Sequence, residues 1–159
     1  MDIRLAEPFF NSTKNIVNEM TGIEVGEISA PSEQNGDFQS LGVASVITFS
    51  GKFKGRFIID LPPELALKMV GNMMGEDLSE LKDTMFLAGI SEMNNTIAGD
   101  ANTFLNNKLN ASLRLAPPIV FVGKNAMVAA YKMNSVCATC STQMGDFKIY
   151  VGFQGGGGK

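Results

Sequence analysis

The sequence predicts an α+β fold with two layers, in which helices cover one face of a mixed sheet whose strands are largely antiparallel. The first observation is that the spacing of apolar residues switches between the helical and the strand period along the chain. The second is a faint duplication, since residues 51–54 (Gly-Lys-Phe-Lys) and 145–148 (Gly-Asp-Phe-Lys) each lead into an apolar strand. Each half is predicted to be a helix followed by about three strands, and two such halves can share one sheet.

Three stretches have the helical spacing. Residues 3–20 place their apolar side chains mostly on one side, and the proline near their start is tolerated there. Residues 63–74 begin with a proline, which suits a first turn, and a glycine follows them. The longest helix is predicted to begin at a cap supplied by Asp77 or Ser79 and to run to about Asn107.

The strands are predicted from alternating or β-branched runs that are bounded by turn residues. The clearest case is the run from residue 41 to 49, in which valine, isoleucine and phenylalanine alternate with smaller side chains. The predicted strands are residues 24–29, 41–49, 52–61, 113–115, 119–122, 126–133, 136–142 and 147–153.

Length and composition predict one ordinary globular domain. The chain has 159 residues, of which 45% are hydrophobic and 18% charged. We assign residues 1–154 to the domain and residues 155–159 to a flexible glycine-rich tail with no assigned role. The net charge of −3 without a basic run argues against a nucleic-acid partner. No apolar run is long enough for a membrane span and no signal peptide is recognisable, so we expect a cytoplasmic protein without a membrane partner.

The residue types that are absent or rare limit the possible chemistry. The chain has no histidine, which excludes Ser-His and Cys-His nucleophile pairs and histidine general bases. Cys137 and Cys140 form a lone C-x2-C without two further zinc ligands nearby. On a strand they would face opposite sides, so we interpret them as structural thiols, with a redox or metal role as the alternative.

Two different faces are predicted for the long helix. At 100° per residue, one arc is apolar and consists of Phe86, Ile90, Met93, Ile97, Ala101 and Phe104. A second stripe, which is predicted to face solvent, consists of Ala88, Glu92, Asn95 and Gly99. Small residues on either side of a polar pair let another surface approach closely, so we predict that Ala88, Gly99 and Asn102 dock a partner.

The spacing around this polar pair resembles a known signature. Glu92-x2-Asn95 is followed by Ile97-Ala98-Gly99, and 22 residues separate Asn95 from Pro118 at the start of a predicted strand. This pattern is similar to that of the CheC/CheX/FliY family of chemotaxis phosphatases, and most similar to CheX because the motif occurs once. The amino terminus, from residue 7 to 22, also resembles CheX. The CheC-type pattern has aspartate or serine four residues before the glutamate, where this chain has Ala88, and this difference favours the CheX branch.

The resemblance implies that the protein removes the phosphoryl group from the aspartyl phosphate of a CheY-type receiver domain. It assigns catalytic roles to Asn95, which would orient a water molecule, and to Glu92, which would pair with the receiver's lysine. An asparagine amide can position water but cannot take its proton, and positioning carries much of phosphoryl-transfer catalysis. The resemblance also implies no cofactor of its own, Mg²⁺ on the partner receiver, and a homodimer.

Two other functions remain possible on sequence grounds. One is a non-catalytic receiver-binding or flagellar-switch-like scaffold on the same fold, although a scaffold has no reason to keep Glu92 and Asn95 side by side. The other is a small-molecule-binding α/β domain, which has little support because no phosphate-cradling glycine turn follows a strand.

Overall fold

Three α-helices and one short 3-10 helix form the helical layer in the computed structural model, which describes residues 2–129 and 133–154. The 3-10 helix is Ile3–Leu5, and the α-helices are α1 (Glu7–Thr21), α2 (Pro63–Met74) and α3 (Thr84–Leu109). Prolines occupy the first turns of α1 and α2. The first helix therefore begins later than the predicted residue 3, because proline lacks the amide hydrogen that a helix interior requires. Both helices end at a glycine with positive φ, +70° at Gly22 and +71° at Gly75.

The start of α3 differs from the prediction. The Asp83 carboxylate accepts a 2.8 Å hydrogen bond from the Met85 amide, so the helix begins at Thr84. The predicted caps Asp77 and Ser79 are wrong. All three residues are typical of helix caps, and sequence alone did not single out the one next to the first turn.

The strands form one large sheet and one small sheet within the described residues. The strands are β1 (Ser32–Glu33), β2 (Phe38–Gln39), β3 (Val43–Ser50), β4 (Lys54–Leu61), β5 (Arg114–Leu115), β6 (Ile119–Val122), β7 (Met127–Val128), β8 (Met133–Thr142) and β9 (Gly145–Gln154). The large sheet has the order β1-β8-β9-β4-β3, and β5 and β6 share the outer side of β3. Strands β2 and β7 form the small sheet. Every described pair is antiparallel, whereas the prediction was a mixed sheet.

The two predicted repeats correspond to two hairpins. One is β3–β4 and the other is β8–β9, and the two hairpins join through the central pair β4–β9. Isolated hairpins are only marginally stable in water, so pairing them at the centre supplies the wide sheet against which the helices pack.

Two of the predicted strands are much shorter in the structure. Residues 24–29 run beside β8, but only Ile28 forms a bridge, with Cys140. Of residues 126–133, Met127–Val128 forms β7 and Met133 begins β8, while residues 130–132 lie outside the described residues. The predicted tail, residues 155–159, also lies outside them.

The sheet has different environments on its two faces. The helices cover one face, and the main apolar core lies between them and the sheet. The opposite face carries a smaller cluster around Tyr150, whose ring stacks on Phe38 of β2 at 3.8 Å between ring centroids. Cys140 lies in the main core and Cys137 packs against the smaller cluster, so their predicted opposite orientation is confirmed. Among the helices of the described residues, none is both long and apolar enough to cross a membrane.

Candidate active site

The rotation of α3 about its axis is fixed by one buried face. Five of the six predicted apolar residues are fully buried, namely Phe86, Ile90, Met93, Ile97 and Ala101. The same face also carries Asn94, which is fully buried, and its side-chain amide donates a 2.8 Å hydrogen bond to the Ser45 hydroxyl of β3. This bond and the apolar contacts together hold the helix in one orientation on the sheet.

The sixth predicted core residue, Phe104, is a correction. Its side chain is 54% exposed, and Leu105 is buried instead. The chain that follows α3 explains why Leu105 and not Phe104 is buried. The Asn106 side chain accepts a 2.7 Å hydrogen bond from the Leu113 amide and donates one of 3.1 Å to the Leu113 carbonyl. This segment covers the side of the helix near Leu105 and leaves Phe104 outside.

Glu92 and Asn95 lie one turn apart on the solvent-facing side of α3, and both are exposed. Within the described part of the chain, no hydrogen bond or ion pair engages the Glu92 carboxylate or the Asn95 amide. The hydrogen bond that involves Glu92 uses its backbone carbonyl, which accepts from the Thr96 hydroxyl at 2.7 Å. Both polar groups are therefore available to another molecule, side by side on a rigid helix.

The three predicted docking residues have different environments. Ala88 is exposed and Gly99 is half-buried, and each borders the polar pair because it lies one helical turn from Glu92 or from Asn95. A Cβ atom at Gly99 would lie 3.7 Å from the Leu115 Cδ1 atom, which is ordinary contact. Asn102 is only 4% exposed, and neither atom of its amide has a hydrogen-bond partner among the described residues. The structure thus places Asn102 inside the protein, and its assignment to a docking surface is wrong.

Sequence reasoning missed two residues that position the site. Asn94 holds α3 against β3, and the available signal was its spacing, since it lies four residues after Ile90 and three before Ile97 on the apolar side. The second residue is Asp100, whose carboxylate accepts a 2.7 Å hydrogen bond from the Ser12 hydroxyl of α1. These two bonds attach α3 to the sheet and to α1.

Neither a metal-binding cluster nor a reactive thiol accompanies the polar pair in the described part of the chain. The described residues contain no cluster of three cysteine, aspartate or glutamate side chains that could hold a metal ion. Both cysteines have free thiols. Burial raises the pKa of the Cys140 thiol to about 12, and burial also raises the pKa of Cys137. Both thiols are therefore protonated and poorly nucleophilic near neutral pH.

The family of the chain follows from a sequence comparison. The family model described as chemotaxis phosphatase CheX matches residues 43–141, which include β3, β4, α2, α3 and most of β8. The chain belongs to the CheX family. Its polar pair on α3 lies within the matched region.

Individual relatives agree with this family over nearly the whole chain. A CheY-P phosphatase CheX from Thermotoga maritima is 25% identical over 157 residues, which cover 99% of this chain and 100% of the relative. A CheC-like superfamily protein from Shewanella sp. PV-4 has a similar structure, with a TM-score of 0.86, 25% identity and coverage of 98% of this chain and 100% of that one.

A third relative was solved with a partner. It is the CheX of a CheX-CheY-BeF3-Mg²⁺ complex from Borrelia burgdorferi, with a TM-score of 0.81, 22% identity and coverage of 94% of this chain and 97% of that one. At this identity the likeness shows that the two chains share a fold.

Proposed function

We propose that this CheX-family protein is a phosphatase that hydrolyses the aspartyl phosphate of a CheY-type receiver domain. The observation that carries the proposal is the pair Glu92 and Asn95, which is exposed, has no side-chain partner among the described residues, and is held on one rigid helix. The name of the Thermotoga maritima relative, a CheY-P phosphatase, supports the same activity.

The proposed reaction needs few groups from this chain. A water oxygen attacks the phosphorus in line with the aspartyl oxygen, the P–O bond to the aspartyl group breaks, and the products are a carboxylate and inorganic phosphate. The Asn95 amide accepts a hydrogen bond from the water and holds it in line, which reduces the entropic part of the barrier. A Mg²⁺ ion on the receiver would offset the negative charge of the phosphoryl group.

Glu92 is proposed to anchor the receiver by pairing with its lysine. The carboxylate is exposed and forms no ion pair with any residue that the structure describes, so none of those pairs has to be broken when the partner arrives. Ala88 and half-buried Gly99 border the polar pair, and neither has a bulky side chain that would project from α3 there. A receiver could therefore approach until its phosphoryl group reaches Asn95.

The decisive experiment is a dephosphorylation time course on a phosphorylated CheY-type receiver, with and without this protein. Faster loss of phosphate at substoichiometric protein supports catalysis. Binding of the receiver without faster loss would instead support the alternative, a non-catalytic scaffold on the same fold.

The change Glu92→Ala is expected to raise KM for the phosphorylated receiver about tenfold while kcat changes little, because a partly desolvated charge pair across the interface is lost. Steady-state kinetics with varied receiver concentration measure both constants. The matched control is Glu19→Ala, which removes an exposed carboxylate from α1. A fall in kcat at unchanged KM would contradict the anchoring role and place Glu92 in the chemical step.

We also propose that the protein forms a homodimer through an edge of its sheet. Strand β6 pairs with β3 on one side, and its other side is unpaired among the described strands. Ile119 and Phe121 of this strand are 59% and 46% exposed, as expected for an edge that a second copy covers.

Sedimentation velocity should give a mass near twice that of the chain. The change Phe121→Lys should shift it toward the monomer, and a wild-type monomer at high concentration would refute the proposal.

A further inference from the structure

A second concave site lies on the face of the sheet that the helices do not cover. It is an open cleft of about 380 Å³ at the end of β3 and β4. Arg114 of β5 pairs with Ser50 of β3, and Ser50 pairs with Lys54 of β4. Directly paired residues of antiparallel strands point to the same side of a sheet. Because the neighbouring Phe49 belongs to the helix-side core, these three residues point to the opposite face.

The cleft concentrates positive charge in a chain whose net charge is −3. Arg114 and Lys54 are exposed on its rim and lie two strands apart, about 10 Å between their backbones. Their long side chains can therefore reach one group between them. Among the residues that the structure describes, no carboxylate lines the cleft.

A third cation lies in the next cross-strand row on this face. Arg56 pairs with Thr48 and is 5% exposed, and its guanidinium donates a 2.6 Å hydrogen bond to the Ala129 carbonyl. This bond directs the side chain toward Ala129, and Arg56 is not among the residues that line the cleft. The hydroxyl-bearing residues Thr48 and Ser50 line the cleft on the same face.

The rest of the lining consists of the polar Gln154 and of apolar walls, which give the cleft a second property. The apolar walls are formed by Ala116 and Met133, while the side chains of Phe49 and Leu115 belong to the helix-side core. We propose that this cleft binds a small organic anion, whose phosphate or carboxylate lies between Arg114 and Lys54 and whose apolar body packs on these walls. The volume lies at the lower end of the range of about 300–1,000 Å³ that is typical of small-molecule sites.

This site is separate from the one that carries the proposed phosphatase activity. Glu92 and Asn95 are on the outer side of α3, while the basic pair Arg114 and Lys54 of the cleft points to the face of the sheet that the helices do not cover. Variants of the cleft should therefore keep phosphatase activity, and loss of one function does not entail loss of the other.

The test is isothermal titration of the full chain with phenyl phosphate at low ionic strength. Saturable one-site binding is expected, and the double variant Lys54→Gln/Arg114→Gln should bind at least about tenfold more weakly, because two charge-assisted contacts are lost. The control Lys68→Gln/Lys82→Gln removes two exposed lysines, one on α2 and one in the loop before α3, with the same change of charge, and should bind as the wild type does. Melting curves confirm that both variants fold.

Two further ligands test the two halves of the proposal. Phenol lacks the charge and inorganic phosphate lacks the apolar body, so both should bind at least about tenfold more weakly than phenyl phosphate. Equal weakening in the control variant would show a general charge effect and overturn the site. Absence of saturable binding, or inorganic phosphate binding as tightly as phenyl phosphate, would overturn the assigned ligand.

Discussion

Replacing Asn95 by alanine is expected to lower kcat for dephosphorylation of a CheY-type receiver roughly a hundredfold, while receiver binding stays nearly unchanged. The change removes the amide that would hold the attacking water, and misplacement of a reacting group by about 1 Å costs on the order of that factor. Asn95 is exposed and has no intramolecular partner among the described residues, so the fold loses no contact with it.

The experiment combines a dephosphorylation time course with titration of the receiver. Asn107→Ala is the matched control, because Asn107 is another exposed asparagine of α3, about three turns away. It should leave both kcat and affinity unchanged. Full activity of Asn95→Ala would refute the proposed role of the amide, and equal loss in both variants would point to damage of the helix.

Leucine substitutions at two glycines of α3 are expected to have opposite consequences. A Cβ atom at buried Gly89 would lie 2.5 Å from the Val70 Cγ1 atom of α2, and a β-branched side chain has little freedom to move away. Gly89→Leu should therefore lower the free energy of unfolding by about 2 kcal/mol or more, even after the gain of roughly 1 kcal/mol in helix propensity. For a chain of this size that corresponds to a Tm lower by about 4–8 °C.

At Gly99 the same substitution meets ordinary contact distances, 3.7 Å to Leu115. Gly99→Leu should keep the wild-type Tm or exceed it slightly, but its bulk beside Asn95 should weaken receiver binding at least about tenfold. Calorimetry and receiver titration on both variants separate the two effects. A large drop in the Tm of Gly99→Leu would show that this side of α3 packs inside the fold, and unchanged affinity would show that the receiver docks elsewhere.

The sequence predicted those parts of the site that depend only on the spacing of apolar residues along one helix. A helix long enough to show several turns of apolar spacing places Glu92 and Asn95 on its polar side, and the structure confirms this exposure. By the same spacing Phe104 falls on the apolar side of α3, yet it is exposed. The hydrogen bonds between Asn106 and Leu113 draw the chain after α3 over the other side of the helix. Such a contact depends on a turn that helical spacing does not encode.

Contacts between distant segments account for the other differences. Strands β2 and β7 have two residues each and exist because Phe38 pairs with Val128, which is far away in the sequence. Asn94 and Ser45 are both ordinary polar residues in the sequence, and only their pairing across the helix–sheet contact makes them buried partners. Asn102 lies three residues after Gly99, yet it is buried while Gly99 is half-buried, a difference that helical spacing alone does not predict.

The hydrogen bond from Asn94 to Ser45 has a consequence for the kinetics of association. It holds α3 in one orientation before any partner arrives, and a second bond, from Ser12 to Asp100, fixes the same helix to α1. The backbone that carries the polar pair therefore loses little conformational entropy on binding, and only the two side chains have to be ordered. Receiver binding should consequently follow a single exponential whose rate rises linearly with concentration, without the saturating phase that a slow rearrangement of this protein would produce.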